Sequence, residues 1–394
     1  MDKKSENFVL TEQIKALAAA CSGELVEIRR HLHKYAELSF EEYDTARYIR
    51  ERLREWVGVP AEDIVPMCET GTVVVLRGEG GDGDATRCIA LRADIDALPI
   101  KEANDVSYCS VNEGIMHACG HDVHTTCLLG AAKILYTLRA HWSGCVKLIF
   151  QMGEEKHPGG ASLLVEAGVL ENPKVEAIFG LHCDPDMPVG RVGFCPAYCM
   201  ASADEIYLTV RGQGGHAARP HTLTDTVLAA AQILVSLQQI VARRANPITP
   251  TVLTFGKIYS DGGATNVVPD AVYLHGTLRT FDEVWRKEAY ALIEKIATQT
   301  ADTFGASVDI DIPEGYPALY NTPALTAQTQ RIAQSYLQAL GGAAVDIPPR
   351  MGGEDFSFYA QRVAACFYRV GVQVEGGTAL HTATFDVDES AISL

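Results

Sequence analysis

The sequence predicts an α/β protein in two parts. A main domain carries a mostly parallel sheet flanked by helices, and a smaller ferredoxin-like domain is inserted into it. Three observations lead there. The chain has 394 residues, more than one ordinary core accommodates. Strand-like and helix-like runs alternate, as they do around a parallel sheet. Between them, residues 202–314 read β-α-β-β-α-β, the ferredoxin-like order. The expected boundaries are therefore 1–201 with 315–394 for the main domain and 202–314 for the insert.

Residues 11–57 read as helical, with charges interleaved among apolar positions. "TVVVLRG" (72–78) is β-branched and reads as a strand, and "GEGGDGDA" (78–85) as a tight turn. "CIALRAD" (88–94) is a second strand, running into "IDALP". Leu128, Ala131, Ala132 and Leu135 fall at i, i+3, i+4 and i+7, which predicts a helix after "HACGHDVHTT" (117–126). "CVKLIFQ" (145–151) and "VEAIFGLH" (175–182) are apolar strands that stop at "MGEEKHPGG" and "HCDPDMP". In the insert, the strand "EIYLTVRG" precedes a helix over 224–244. The strands "TVLTFGKIY" and "AVYLHGTLRTF" follow, then a helix over 282–304 and the strand "SVDIDIP". The main domain resumes with a helix over 322–340, the Gly-rich "MGGEDF", and the strand "CFYRVGV" leading to "GGTALHT".

Composition narrows the function. Hydrophobic content of 47% and charged content of 21% describe a soluble globular protein. A net charge of −17 argues against nucleic acid, whose phosphates need basic surface. The 11 cysteines are scattered, odd in number and form no CxxC. Free thiols in a reducing, cytoplasmic compartment are expected. The lysines of "MDKKSENFVL" precede no apolar run, so no signal peptide is expected. Apolar windows such as "VLAAAQILVSL" (227–237) are too short to span a bilayer, so no membrane partner is expected either.

The polar clusters recur at one kind of place. Asp94 and Asp96 follow the strand at 88–93, Glu154 and Glu155 follow 145–151, His182 ends 175–181, and His381 follows 366–372. Open α/β sheets gather their sites beyond the carboxyl ends of strands. Cys119 and His121, two apart on a turn, can both reach one centre. A thiolate, imidazoles and a carboxylate suit zinc, or manganese, cobalt or nickel. Adjacent glutamates on an irregular loop can point apart, one binding metal while the other takes a proton from water. Taken singly, each group has a plainer reading: His121 a helix cap, Cys119 a buried thiol, Glu154-Glu155 a solvated pair, Asp94 and Asp96 turn residues. Four strands ending in ligand chemistry make coincidence a poor account. Asp94, Asp96, Asp122, His124 and His117 are candidates for holding the other ring nitrogen of metal-bound histidines, and His157 reads as surface.

These residues resemble the metal-dependent aminoacylase/carboxypeptidase peptidase family, in its amidohydrolase branch. That branch includes hippurate hydrolase, N-acyl-L-amino acid amidohydrolase and the hydrolases of indoleacetyl-amino-acid conjugates. The resemblance runs through "RRHLHKYAELSFEEYDT" (29–45), "LRADIDALPI" (91–100), "MHACGHDVHTT" (116–126), "FQMGEE" (150–155), "GLHCDP" (180–185), "GQGGHAARPH" (212–221), "TNVVPD" (265–270), "MGGEDF" (351–356) and "LHTATFD" (380–386). It implies two divalent ions per subunit, held by Cys119, His121, Glu155, His182 and His381, with Glu154 as general base and then acid. It implies a catalytic domain with an inserted lid that dimerises, or assembles further. It also implies that His216, in "GGHA", reaches the partner's site to steady an oxyanion. Asn266 and Arg279 are candidates for the substrate carboxylate, since an Arg fork suits one. Read by itself, His216 is a turn histidine and Arg279 a surface arginine.

The chain departs from the family at "HKYAEL", where relatives read "HxxPEL", and at "QMGEE", where they read "QPAEE". Gly153 and Met152 are expected to loosen a loop that proline stiffens. The expected substrate is a small N-acyl amino acid. The rivals are a dipeptidase or carboxypeptidase of the same family and a non-catalytic, metal-stabilised binding dimer. Neither GxSxG nor HExxH occurs.

Overall fold

The computed structural model describes residues 3–80, 84 and 86–394, with side chains from residue 9 onward. The turn expected over 78–85 falls in part on residues 81–83 and 85, outside the described residues. The chain packs as two units. One is Met1–Ala197, Tyr320–Pro348 and Phe358–Leu394; the other is Tyr198–Leu319 and Pro349–Ser357.

The principal helices are α1 (Lys3–Lys34), α2 (Tyr43–Arg52), α3 (His121–Thr137), α4 (Gly160–Glu166), α5 (Thr226–Leu237), α6 (Glu283–Thr303) and α7 (Pro323–Gln338). The principal strands are β1 (Ile64–Met67), β2 (Gly71–Arg77), β3 (Cys88–Asp94), β4 (Cys145–Gln151), β5 (Ala177–Asp184), β6 (Arg191–Phe194), β7 (Asp204–Arg211), β8 (Thr251–Ser260), β9 (Ala271–Thr280), β10 (Ser307–Asp311), β11 (Ala343–Asp346) and β12 (Ala364–Gly371).

In the first unit, eight strands form a sheet in the order β1-β2-β4-β3-β5-β12-β6-β11. Its centre, β4-β3-β5-β12, is parallel throughout, while β2 and β6 join antiparallel. Every residue of β4 is buried, as expected of an apolar run covered on both faces. The parallel centre sets four carboxyl ends on one edge, and those ends build the site. Leu25 of α1, Val123 of α3, Cys183 of β5, and Val372 and Phe385 beyond β12 share one apolar cluster. That cluster ties the helix after the Cys-Gly-His turn to the sheet.

Two expectations shift. The helix expected over 11–57 is two helices, because the chain between them dips to bridge Leu38 with Ala97 beyond β3, with Phe40 at φ +68°. His182 lies inside β5, which runs on to Asp184.

The second unit is a four-stranded antiparallel sheet, β8-β9-β7-β10. Alternation decides its faces. Ile206, Leu208 and Val210 of β7 point to the core, where Ala229, Ile233 and Leu237 of α5 and Ala289, Ile293 and Ala297 of α6 meet them. Asp225 caps α5 through the Leu228 N–H, and Asp282 caps α6 through Val284 and Trp285. The helix of α5 runs on through a π-turn at Ile240–Arg244. Among the described residues, Thr226–Arg244 is one run long and apolar enough to cross a membrane, longer than the window 227–237 suggests. Its Ala229, Ala230, Ile233, Leu237 and Ile240 lie in the core of this unit, which makes it a core helix.

Candidate metal centre

Gly120 shapes the turn that presents the first two donors. Its φ is +93°, and a Cβ there would sit 2.9 Å from the Cys183 Sγ. Glycine therefore allows Cys119 and His121 to flank the start of α3. The next donors come from the sheet edge: Glu155 from the loop after β4, His182 from β5, and His381 from the segment after β12. The His381 N–H donates to the Ala118 carbonyl at 2.8 Å, which fastens that segment beside Cys119.

The five donors converge. Cys119 Sγ lies 3.3 Å from His182 Nε2 and 3.3 Å from His381 Nε2. Glu155 Oε1 lies 3.4 Å from His381 Nε2 and 3.9 Å from His121 Nε2. Two groups of three result, Cys119–His121–His182 and Cys119–Glu155–His381, each with its ligand atoms within 4.8 Å of one another. Cys119 belongs to both. Cys119, His121 and His182 are buried, while the His381 side chain is 53% exposed, so the site opens to solvent on that side.

The outer ring nitrogens of two histidines are fixed. His182 Nδ1 donates to the Cys183 carbonyl at 2.7 Å, and His121 Nδ1 meets the Asp96 carbonyl at 3.0 Å and its Oδ1 at 3.1 Å. A carbonyl only accepts, so Nδ1 carries a proton in both rings and Nε2 faces inward, where a bound cation would take its lone pair. Inside the cluster, His121 Nε2 and Glu155 Oε1 are buried without hydrogen-bond partners. Burial, then the Glu155, Glu154 and Asp94 carboxylates, push the Cys119 thiol well up. Burial alone would lower His121, but Asp94, Asp96 and Glu155 outweigh it and hold the imidazole up at about 10. In both, the neighbouring carboxylates raise the value, a local negative charge that cations would offset. Burial, with His124 and Arg369, holds His182 neutral, the form in which imidazole ligates. Orphaned donors, a thiol, three imidazoles and a carboxylate fit divalent ions.

Glu154 is buried, with a carboxylate oxygen within 4.8 Å of the ligand atoms of His121 and Glu155. The other sequence candidates divide. Asp96 orients His121, as just described. Asp94 Oδ1 pairs with His124 Nδ1 at 2.6 Å, and His124 Nε2 accepts the Cys183 N–H at 2.9 Å, so His124 braces β5 against α3. Asp122 turns to Arg29 and His33. His117 is buried with neither ring nitrogen paired, and burial pushes it down to about 4.

In the second unit, His216 is exposed on a two-stranded ribbon, Gly215–His216 against Val267–Val268. Its Nδ1 accepts the Ala218 N–H at 3.2 Å, which leaves the proton on Nε2. Exposed Asn266 borders it, its carbonyl taking the Ala217 N–H at 3.0 Å. Arg279 is partly buried, and its Nη1 donates to the Asp204 and Leu278 carbonyls at 3.2 and 3.1 Å. Its fork is partly engaged by its own unit.

The sequence profile of peptidase family M20/M25/M40 matches residues 90–393. The chain belongs to that family. It is 40% identical over 389 residues to a putative amidohydrolase, YhaA, of Bacillus subtilis, covering 97% of this chain and 94% of that one. It is 39% identical to an N-acetyl-L-cysteine deacetylase of the same organism, over 94% of this chain and 85% of that one. It is 33% identical to thermostable carboxypeptidase 1 of Saccharolobus solfataricus, over 98% and 96%. Among solved structures it matches Bacillus subtilis YXEP, described as a dinuclear metal binding peptidase of family M20. That match has TM-score 0.79 and 33% identity, over 95% of each chain. This M20 protein is a metal-dependent amidohydrolase.

Sequence reasoning assigned no role to Arg29, His33 or Glu42, although all three lie in the quoted segment 29–45. Their burial is a tertiary fact that no local pattern announces.

Proposed function

We propose that this M20 protein hydrolyses the amide bond of N-acyl-L-amino acids, hippurate-like or related conjugates, to a carboxylic acid and the free amino acid. Cys119, His121, Glu155, His182 and His381 hold two divalent ions, zinc or manganese, cobalt or nickel. Such ions supply Lewis acidity, which polarises a carbonyl and makes water nucleophilic near neutral pH. Glu154 takes the proton from the attacking water and returns it to the leaving amine. His216 of a second copy donates from Nε2 to the oxyanion. Asn266 and Arg279 meet the substrate carboxylate.

One observation carries this reading: a buried carboxylate, Glu154, stands beside the five convergent donors. A binding protein gains nothing from a base at that place. The deacetylase relative favours an N-acyl substrate, and the carboxypeptidase relative favours the rival. For the dimer, β8 is an edge strand and Val227, Leu228 and Val235 of α5 are exposed, an apolar face that a second copy would cover. Among the described residues no disulfide joins the cysteines, which favours a cytoplasmic setting.

The test is hydrolysis of N-acetyl, N-benzoyl and indoleacetyl amino acids against dipeptides, before and after chelation. N-acyl substrates should be cleaved, the chelated protein should be inert, and added metal should restore it. Cleavage of dipeptides alone supports the peptidase rival. Two bound ions with no hydrolysis supports the binding dimer.

A further inference from the structure

We propose that Glu42 is a positioning residue for Glu154, fixing through the Gly153 N–H the loop that carries the proton-transferring carboxylate. The inference rests on the reading of Glu154 as general base.

The loop leaves β4 at Gln151 and reaches Glu155 in four residues. Two of its backbone donors end on buried carboxylates. Gly153 N–H donates to Glu42 Oε1 at 2.8 Å, and Glu155 N–H donates to Asp96 Oδ2 at 3.0 Å. Glu154 is the residue between them. The Asp96 carboxylate also meets His121, so one end of the loop is registered to the donor cluster. Glu42 registers the other end to α2. Its second oxygen accepts from Thr70 Oγ1 at 2.8 Å, and both side chains are buried. The Gly153 carbonyl takes the Gly160 N–H at 2.9 Å. On the remaining side stands the Phe40 ring: a Cβ at position 153, where φ is +59°, would fall 2.3 Å from Phe40 Cε1. The loop that glycine was expected to loosen is pinned on three sides.

A carboxylate is a costly group to bury for this purpose alone. Burial, then the nearby Asp96, push the Glu42 carboxyl up to about 7. An apolar side chain would spare α2 that cost. What a carboxylate adds is a short, directional acceptor for backbone N–H, and here it is aimed at the residue before Glu154.

The experiment compares wild type, Glu42→Gln, Glu42→Leu and Glu154→Ala. The readouts are kcat, KM, metal content, and amide hydrogen exchange across residues 152–156 in chelated protein. Glu42→Leu should lower kcat roughly 10–100-fold with KM within about twofold, the signature of a misplaced catalytic group. Metal content should hold and exchange should quicken. Glu42→Gln keeps an acceptor for the Gly153 N–H and should recover most of the kcat. A Glu42→Leu enzyme with wild-type kcat and wild-type exchange overturns the proposal, as does equal loss in Glu42→Gln and Glu42→Leu. Should Glu42→Leu not fold, Thr70→Val removes the hydroxyl that aims Glu42; a smaller loss of kcat is expected, and none overturns the idea. If wild type cleaves no amide, or Glu154→Ala keeps full turnover, the reading of Glu154 fails. The exchange comparison still decides whether Glu42 holds the loop.

Discussion

Arg29 Nε donates to Asp122 Oδ2 at 2.9 Å, and neither side chain is exposed to water. The pair joins α1 to the first turn of α3, next to His121. The same guanidinium reaches Asp386 and Glu389 at 3.2 Å each, in the segment that follows His381. One buried cation therefore ties together the N-terminal helix, the helix that begins at His121, and the chain beyond His381. Burial alone would lower the Arg29 guanidinium, but Asp122 and Asp386 outweigh it and hold it above its ordinary value.

Replacing Arg29 leaves Asp122 buried without its guanidinium partner, with His33 alone against it. Arg29→Met should destabilise the protein by about 3–5 kcal/mol, the range for breaking a buried pair by removing one partner. Denaturant unfolding of the metal-free protein measures it. A loss below about 1 kcal/mol would show that the pair contributes no more than a surface bridge.

His33 gives a pH signature. Burial opposes its protonation, but hydrogen bonds to Asp122 (2.8 Å) and Glu102 (3.1 Å) win and raise it, against the nearby Arg29. His117 and Tyr108 are its ring neighbours. A folded pKa above the unfolded one stabilises fully below the ordinary value of 6.5 and is lost as pH rises through the folded value. Wild-type stability should therefore fall as pH rises from 6.5 through the folded value. His33→Gln should be less stable at pH 6 and show a flatter slope. Equal slopes in the two proteins would remove His33 as the cause.

Asp96 holds the outer nitrogen of His121, so its loss should act on metal rather than on the fold. Asp96→Ala is expected to weaken metal binding roughly 10–100-fold, read by calorimetric titration of chelated protein. Unchanged affinity would mean that the His121 ring is held by the backbone carbonyl alone.

Glu154 and His216 are expected to belong to different copies at one site. Glu154→Ala should keep its metal and lose turnover by several orders of magnitude. His216→Ala should lose roughly 10²–10³ in turnover, as when one oxyanion donor is removed. Mixing the two inactive proteins should restore part of the activity through hybrid dimers. No recovery in freely exchanging mixtures would show that the site is not shared.

Much of this was legible in the chain because period and position are local. The alternation of "EIYLTVRG" and the apolar runs "CIALRAD" and "CVKLIFQ" declare strands, and their order declares the sheet. The sheet-end donors were legible because parallel strands deliver their ends to one edge, so "GEE", "GLH" and "LHT" fell together once the sheet was drawn, while "HACGH", on the turn before α3, joined them through the family resemblance. What stayed hidden depends on which face meets what. Glu42, in "FEEYDT", reads like any charged residue of a helix start, yet it is fully buried. Asp122 sits beside His121 in sequence, and helical geometry turns it the other way, to Arg29. Gly153 looked like a loosened loop because its neighbour Phe40 is 113 positions away and reaches it only through the fold.

Cys119 stands in both donor triplets, so a two-ion centre here depends on that one side chain. Metal per chain, measured by elemental analysis after dialysis against a limiting divalent ion, tests it directly. Wild type should retain two ions, His381→Ala one, and Cys119→Ala neither, with all three folded by circular dichroism. Wild-type protein that retains no metal, or a Cys119→Ala variant that keeps the full complement, would contradict it.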